Sequence, residues 1–452
     1  MTIRASLPLP SDYTLFISGI RGIGKMLLVF IIFILFLLMG MPVAFAIGIA
    51  GTLFFLQNPQ LPFTMIIQLP ISQTQNFPLL AIPLFIFAAN LMNETGITHR
   101  LIRLAGVLAG HMRGGLAQVN VVLSTLMGGV SGSAIADAAM EARLLGPEML
   151  KKGFSKGYTG SVSAITACIA PVIPPSIGLI LYGTIGQVSI GRLFTGGIVP
   201  GLMMMLFLMI AVSITSKIKG YLPERKRPSL KDVGMALIDS IWAFLFPIAL
   251  IGGIRFGLYT PTEAGAFAGV YALAVGAVFY RELTWKKFKR TLEFTIVDIG
   301  SIMLIISLSG IFGYGLAYER AGDVFSRFML GITNNPQILL LLIVGAVFIA
   351  GMFIDSTAII LLFTAILLPL VSEVGIDPVH FGLVFMLVIV LGLVTPPVGV
   401  SMYTVCSILD CQLEDYIKES IPFIVAILLV DLLIIFFPDI VLFLPNLVFG
   451  KD

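Results

Sequence analysis

The sequence predicts an all-α polytopic membrane protein. It is built from two inverted repeats, each with five transmembrane helices, one of them unwound, and a re-entrant helical hairpin. Three observations carry this expectation. Hydrophobic residues make up 58% of the chain and charged residues only 11%, against about 25% charged in soluble domains. Apolar runs of roughly the 20 residues needed to cross a bilayer recur from end to end. Two apolar stretches broken by Gly, Ser or Pro can also be overlaid without a gap by adding 222 to each position of the first.

Residues 1–25 are polar and irregular and read as an N-terminal extension. Nothing resembles a cleavable signal, because the apolar run from Met26 continues into membrane sequence. Helices are predicted over 26–39 and 43–57, split at Gly40-Met41-Pro42. An uncharged loop over 58–79 and a third helix over 80–93 follow. Residues 94–113 are amphipathic, with Arg100, Arg103 and Arg113, and suit a helix lying at the membrane interface. The stretch 115–150 is apolar but interrupted at Gly128–Ser133, so each half is too short to span. That predicts a re-entrant hairpin with Ser131, Gly132 and Ser133 at its tip. Residues 157–187 could span, but Pro171, Pro174 and Pro175 fall in five positions. Each removes an N–H and clashes one turn back, so the helix should be unwound in its middle. A helix over 193–216 closes the first repeat, 26–216.

A basic connector, 217–239, carries Lys217, Lys219, Arg225, Lys226, Arg227 and Lys231. The second repeat, 240–445, opens with helices over 240–257 and 262–280 and a basic loop from Arg281 to Arg290. A helix over 294–317 and an amphipathic piece over 318–335 precede a second hairpin, 336–371, broken at Ile354–Thr357. A helix over 379–409 is interrupted at Thr395–Gly399, and a last helix over 420–445 leaves a short tail, 446–452.

The overlay pairs Gly129 with Gly351, Pro147 with Pro369, Pro174-Pro175 with Pro396-Pro397, and Ser133 with Asp355. Five crossings per half is an odd number, so the second half enters the membrane upside down. Inverted repeats with discontinuous helices meeting near mid-membrane are the pattern of secondary transporters. The positive-inside rule places 94–113, 217–231 and 281–290 in the cytoplasm and the N-terminus outside.

Asp355 is the chemical focus. An unpaired charge at bilayer depth costs at least roughly 2.5–3.5 kcal/mol, and a bound cation would offset it. Broken helices also free backbone carbonyls, which are tolerated in a membrane only where protein, water or an ion satisfies them. These are hard oxygen donors suited to sodium rather than to a transition metal. Two sodium sites are expected. One uses Ser131, Gly132 and Ser133 with carbonyls around Val172 and Pro174. The other uses Asp355, Ser356 and Thr357 with Thr395 and Pro396. Free amides at the half-helix starts, around Ser133, Ser176, Thr357, Val398 and Gly399, would face an anionic substrate between them. Asp137 should bond to the first tip, Glu263 should cap a helix after Pro261, and Arg255 and Arg320 should snorkel. No organic cofactor, nucleic-acid partner or enzymatic activity is expected. The net charge of +3 comes from short loops, and Cys168, Cys406 and Cys411 have no metal-ligand spacing.

Other readings fare worse. Gly19–Lys25 nearly fits a phosphate loop, but Met26 replaces the Ser or Thr it needs. Ile311-Phe-Gly-Tyr-Gly315 echoes a potassium filter but falls inside a predicted helix. An intramembrane aspartyl protease would need Asp137 and Asp355 to face each other, and it has no use for the two proline-broken helices. A stand-alone sodium-coupled anion carrier of similar architecture stays open.

Several stretches together resemble the large membrane subunit of tripartite ATP-independent periplasmic (TRAP) transporters. They are Gly129–Asp137, Gly157 through Ser176, Tyr259–Gly265, Ile354–Thr357 and Thr395–Gly399. The resemblance runs from about Met26 to Pro445. It implies a multi-pass protein of the bacterial inner membrane. Its partners would be a small four-helix membrane subunit and a soluble periplasmic substrate-binding protein. It would import an organic acid, such as a dicarboxylate or sialic acid, on a sodium gradient by an elevator mechanism. The family's sodium pattern falls on Ser131–Ser133 and Asp355–Thr357.

Overall fold

The computed structural model describes residues 11–451, with side chains from Gly24 onward, and this part of the chain is helical without strands. The first half contains α1 (Ser11–Leu38), α2 (Val43–Leu56), α3 (Met65–Thr74), α4 (Ala81–Glu94) and α5 (Ile97–Ala109). It continues with α6 (Gly115–Gly128), α7 (Ala134–Leu144), α8 (Gly146–Lys151), α9 (Lys156–Thr166), α10 (Ile177–Gly186) and α11 (Ile190–Lys219). Then come α12 (Leu230–Asp239), α13 (Ile241–Arg255), α14 (Pro261–Ala274), α15 (Trp285–Tyr318) and α16 (Ala321–Ile332). The chain ends with α17 (Pro336–Gly351), α18 (Ser356–Glu373), α19 (Pro378–Gly392), α20 (Val400–Leu409), α21 (Leu413–Phe436) and α22 (Asp439–Phe449).

The breaks fall where prolines, glycines and capping residues put them. Ser133 and Asp355 are N-caps of α7 and α18, accepting from the Ala136 and Thr357 amides at 3.4 and 2.9 Å. Ser155 and Asp377 cap α9 and α19 in the same way, at 3.2 Å from the Tyr158 amide and 2.7 Å from the Val379 amide. In both pairs, 222 residues apart, the first half uses Ser and the second Asp. A side-chain cap satisfies one of the orphan amides of a helix start and contributes about 1 kcal/mol. Both double prolines, Pro174-Pro175 and Pro396-Pro397, are cis.

Several boundaries differ from expectation. Residues 11–25, expected to be irregular, continue α1, while 1–10 lie outside the described residues. The loop 58–79 contains α3, which packs on α15: the Ser307 hydroxyl donates to the Pro70 carbonyl at 3.0 Å. The connector is largely helical because α11 runs to Lys219 and Ser229 and Asp232 close a capping box on α12. The basic loop after Arg281 is absorbed into α15, which Thr284 caps. The last helix is two, because the residue before a proline is pushed out of helical geometry, and Phe437 before Pro438 has φ −125° and ψ 75°.

Among the described residues six helices are long and apolar enough to cross a membrane, or seven if the bent α12–α13 pair is one span. Other predicted crossings are assembled from shorter pieces such as α2, α9–α10 and α19–α20. The innermost elements are the two broken helices: α9 from Gly157 to Thr166 and α19 from Val379 to Gly392 are buried throughout. A helix apolar nearly all round, such as α19, belongs inside, whereas α9 also buries Thr159, Ser161, Ser163 and Thr166. The periphery pairs α2 with α15 and α4 with α14. Arg100 of α5 ties that shell together: it bonds Glu282 at 2.7 Å, approaches Asp239 at 3.5 Å and lies 3.7 Å over the Tyr280 ring.

Candidate functional site

Each hairpin tip is pressed against the break of its own unwound helix. At the first, Gly132 has φ +64°, a conformation glycine tolerates, and any Cβ there would strike the Pro175 carbonyl oxygen. At the second, the Gly399 N–H donates to the Met352 carbonyl at 3.0 Å. Gly351 and Gly392 sit so close that a Cβ on Gly392 would lie 2.5 Å from the Gly351 carbonyl carbon. The glycines are required by these approaches, not by flexibility.

Both tips open on one cavity of about 270 Å³, just below the roughly 300–1,000 Å³ usual for small-molecule sites. Gly132 and Ser133 reach it from the first half, and Asp355, Ser356 and Thr357 from the second. The starts of α10 and α18 both border it, so free amides and one carboxylate face the same space. Asp355 keeps one oxygen on the Thr357 amide at 2.9 Å. The donor chemistry on this wall suits a hard cation, since the Ser133, Ser356 and Thr357 hydroxyls and the Asp355 carboxylate are all oxygen donors.

The remaining predicted residues lie around this space, not on its wall. Ser131 is buried behind the first tip, where its hydroxyl partners Asp137, as the sequence suggested for Asp137. Ser176 is buried and caps α10 through the Leu179 amide at 3.2 Å. Pro174 is buried in the break, and the Val172 carbonyl faces Gly197 of α11. Thr395 and Pro396 are half-buried; the Thr395 hydroxyl donates back to Leu391 at 2.7 Å and keeps its lone pairs free. Val398 and Gly399 stand behind the second tip, held there by the Met352 bond. Glu263 caps α14 with Thr260, as expected. Asp137 is absent from the cavity wall that Asp355 shares, so the facing aspartates of a protease are not assembled.

Sequence reading missed two things. Ser301, Ile302 and Ile305 of α15 form one wall of the cavity. Beside the first hairpin lies a buried polar network: Glu141 accepts from Ser124 at 2.6 Å and from Thr166 at 3.1 Å, and Asn120 donates to Ser163 at 3.1 Å. The signal was available, since Asp137 and Glu141 are four apart on one helix face. At the matching positions of the second half stand Leu342, Ala346, Ile359, Phe363, Phe385 and Val388. The hairpin fold therefore forms without this network.

Two hairpins and two broken helices around a small, largely apolar cavity that Ser133, Asp355, Ser356 and Thr357 enter define a membrane transporter rather than an enzyme. The comparisons narrow this. Residues 30–440 match the family described as "Tripartite ATP-independent periplasmic transporter, DctM component", and the chain belongs to that family. It is 35% identical over 411 residues to the sialic acid TRAP transporter large permease protein SiaM of Vibrio cholerae, covering 91% of this chain and 96% of that one. It is 32% identical over 403 residues to the 2,3-diketo-L-gulonate TRAP transporter large permease protein YiaN of Escherichia coli, covering 89% and 95%. Among solved structures, the YdaH transporter of Alcanivorax borkumensis matches with a TM-score of 0.59 at 12% identity, over 81% of this chain and 87% of that one. That likeness bears on the fold alone. The protein is a multi-pass component of the bacterial inner membrane.

Proposed function

We propose that this chain is the translocating subunit of a sodium-coupled importer of an organic acid, working as an elevator. A periplasmic binding protein delivers the acid, and a small membrane subunit completes the complex. The observation carrying this reading is the single cavity shared by the Ser133 and Asp355 tips. Sodium at the Ser131–Ser133 tip with the Val172–Pro174 break, and at the Asp355–Thr357 tip with Thr395 and Pro396, supplies positive charge on either side of the cavity. The acid's carboxylate then binds between two cations and the amides of two half-helices. Without sodium the Asp355 carboxylate faces the same space and repels it, which couples the two. The hairpins and unwound helices move together because each tip is seated on its helix, while α2, α4, α14 and α15 form the shell. Relatives are named for acids as different as sialic acid and 2,3-diketo-L-gulonate, so the reading stops at the substrate class. The test is uptake in vesicles holding this chain, its small subunit and the binding protein. Uptake should require a sodium gradient, and sodium dependence unchanged in Asp355→Asn would sink the proposal.

A further inference from the structure

A second cleft, of about 400 Å³, lies outside the transport cavity, between α5, the connector and α12. Arg103, Arg225, Lys226 and Arg227 line it against a single acid, Asp232, a surplus of three positive charges. Asp232 is already engaged by the Ser229 N–H at 3.0 Å and hydroxyl at 2.7 Å. These bonds hold its carboxyl below the usual range, so it stays ionised at neutral pH. Arg103 approaches Asp239 at 3.5 Å; the other three cations have no carboxylate within ion-pair reach among the described residues.

The cleft is built rather than incidental. The Glu224 and Arg225 amides donate to the Gly110 carbonyl at 2.8 and 3.1 Å. The Arg225 side chain lies over α5, its guanidinium in van der Waals contact with Gly106 and its stem 3.2 Å from where a Cβ on Gly110 would sit. The floor is apolar: Val233 and Ala236 of α12 pack on Leu104 and Val107 of α5. Yet α12 also keeps apolar side chains bare, with Leu230 92% and Ile238 74% exposed. The helix is bent 59° away from α13. A short helix with apolar residues outward and cations at its start lies along a bilayer surface.

We propose that this cleft binds the headgroup phosphate of an anionic phospholipid, whose acyl chains run along the outer side of α12. Arginine's fork matches phosphate oxygens, and Leu230 beside it offers a chain-contacting surface that a free anion has no use for. The bound lipid fastens the connector between the two halves to α5.

The test uses the purified full chain and native mass spectrometry with equal amounts of phosphatidylglycerol and phosphatidylethanolamine. The protein should retain phosphatidylglycerol preferentially, and Lys226→Gln/Arg227→Gln should lose about 30-fold in that preference. Lys286→Gln/Lys289→Gln, which removes equal charge from α15, should leave it intact. If the double variant does not fold, Lys226→Gln alone should lose about fivefold. Equal retention of the two lipids overturns the proposal, as does an equal loss in the α15 control. Inorganic phosphate alone raising the melting temperature as much as phosphatidylglycerol would make the cleft a free-anion site and overturn it too.

Discussion

The Cys168 thiol donates to the Val390 carbonyl at 3.3 Å, and the two residues are 222 positions apart. That is the same offset that overlays the two hairpins in the sequence. A position that touches its own counterpart must lie next to the axis relating the halves. Val390 also lines the cavity. The cavity is thus next to the place where the two unwound helices cross.

The two tips should bind sodium unequally. Asp355 offers a carboxylate where Ser133 offers a hydroxyl, and contacts to a charged group contribute about 1.5–3 kcal/mol. Asp355→Asn should raise the sodium concentration for half-maximal uptake by about tenfold or more, and Ser133→Ala by clearly less. Equal shifts in sodium titrations of the two variants would count against this.

The Glu141 network should matter for stability in the first hairpin only. Glu141→Ala removes two hydrogen bonds, at about 0.5–1.5 kcal/mol each, and opens a cavity in the core, although the Ser124 and Thr166 hydroxyls keep the Asn120 and Val162 carbonyls at 3.1 and 2.7 Å; Glu141→Gln keeps the size and can keep both bonds. Denaturation of the purified protein should show a large loss for the first and a small one for the second. Phe363, the counterpart of Glu141 in α18, replaced by Leu should cost less than about 1.5 kcal/mol.

Gly392→Ala should separate the second tip from its helix. The added methyl has only the Gly351 backbone to meet, and overpacking of this kind costs about 1–3 kcal/mol. Uptake should fall although no proposed sodium ligand is changed. Ala170, the matching residue of the first half, already carries that methyl and lies against Gly128.

Outside the membrane, Lys156 binds Asp410 at 2.7 Å and holds its carboxyl below the usual value. A lowered carboxylate contributes stability above the unfolded value, about 3.9, and loses it as pH falls through the folded one. Melting temperatures of wild type and Asp410→Asn should therefore differ slightly at neutral pH and converge in acid. Both partners are exposed, so the difference should be small and weaken with salt.

The breaks were legible because proline, glycine and capping residues act locally. Ser133 and Asp355 fall at the breaks read from the sequence, and the structure adds Ser155 and Asp377 as the caps of the helices expected from 157 and 379. What could not be read depends on contacts distant in sequence. Helix α3 exists because α15 receives it, and Ser301 reaches the cavity only through the packing of α15 beside α18. The Glu141 network was legible only in part, as two acids four apart in an apolar stretch; its Asn, Ser and Thr partners are ordinary residues whose significance appears only against their apolar counterparts.

Helix α15 carries a consequence for motion. Asp298 and Glu319 bracket residues 299–318, which hold no charge, and that stretch measures about 30 Å, the thickness of the hydrocarbon layer. Asp298 is further anchored by the Asn90 amide at 2.8 Å. Sliding α15 by one turn in either direction would draw a carboxylate into lipid, at roughly 2.5–3.5 kcal/mol or more. The helix that walls the cavity is thereby pinned along its own axis at both ends, and in the proposed elevator it would be the fixed rail.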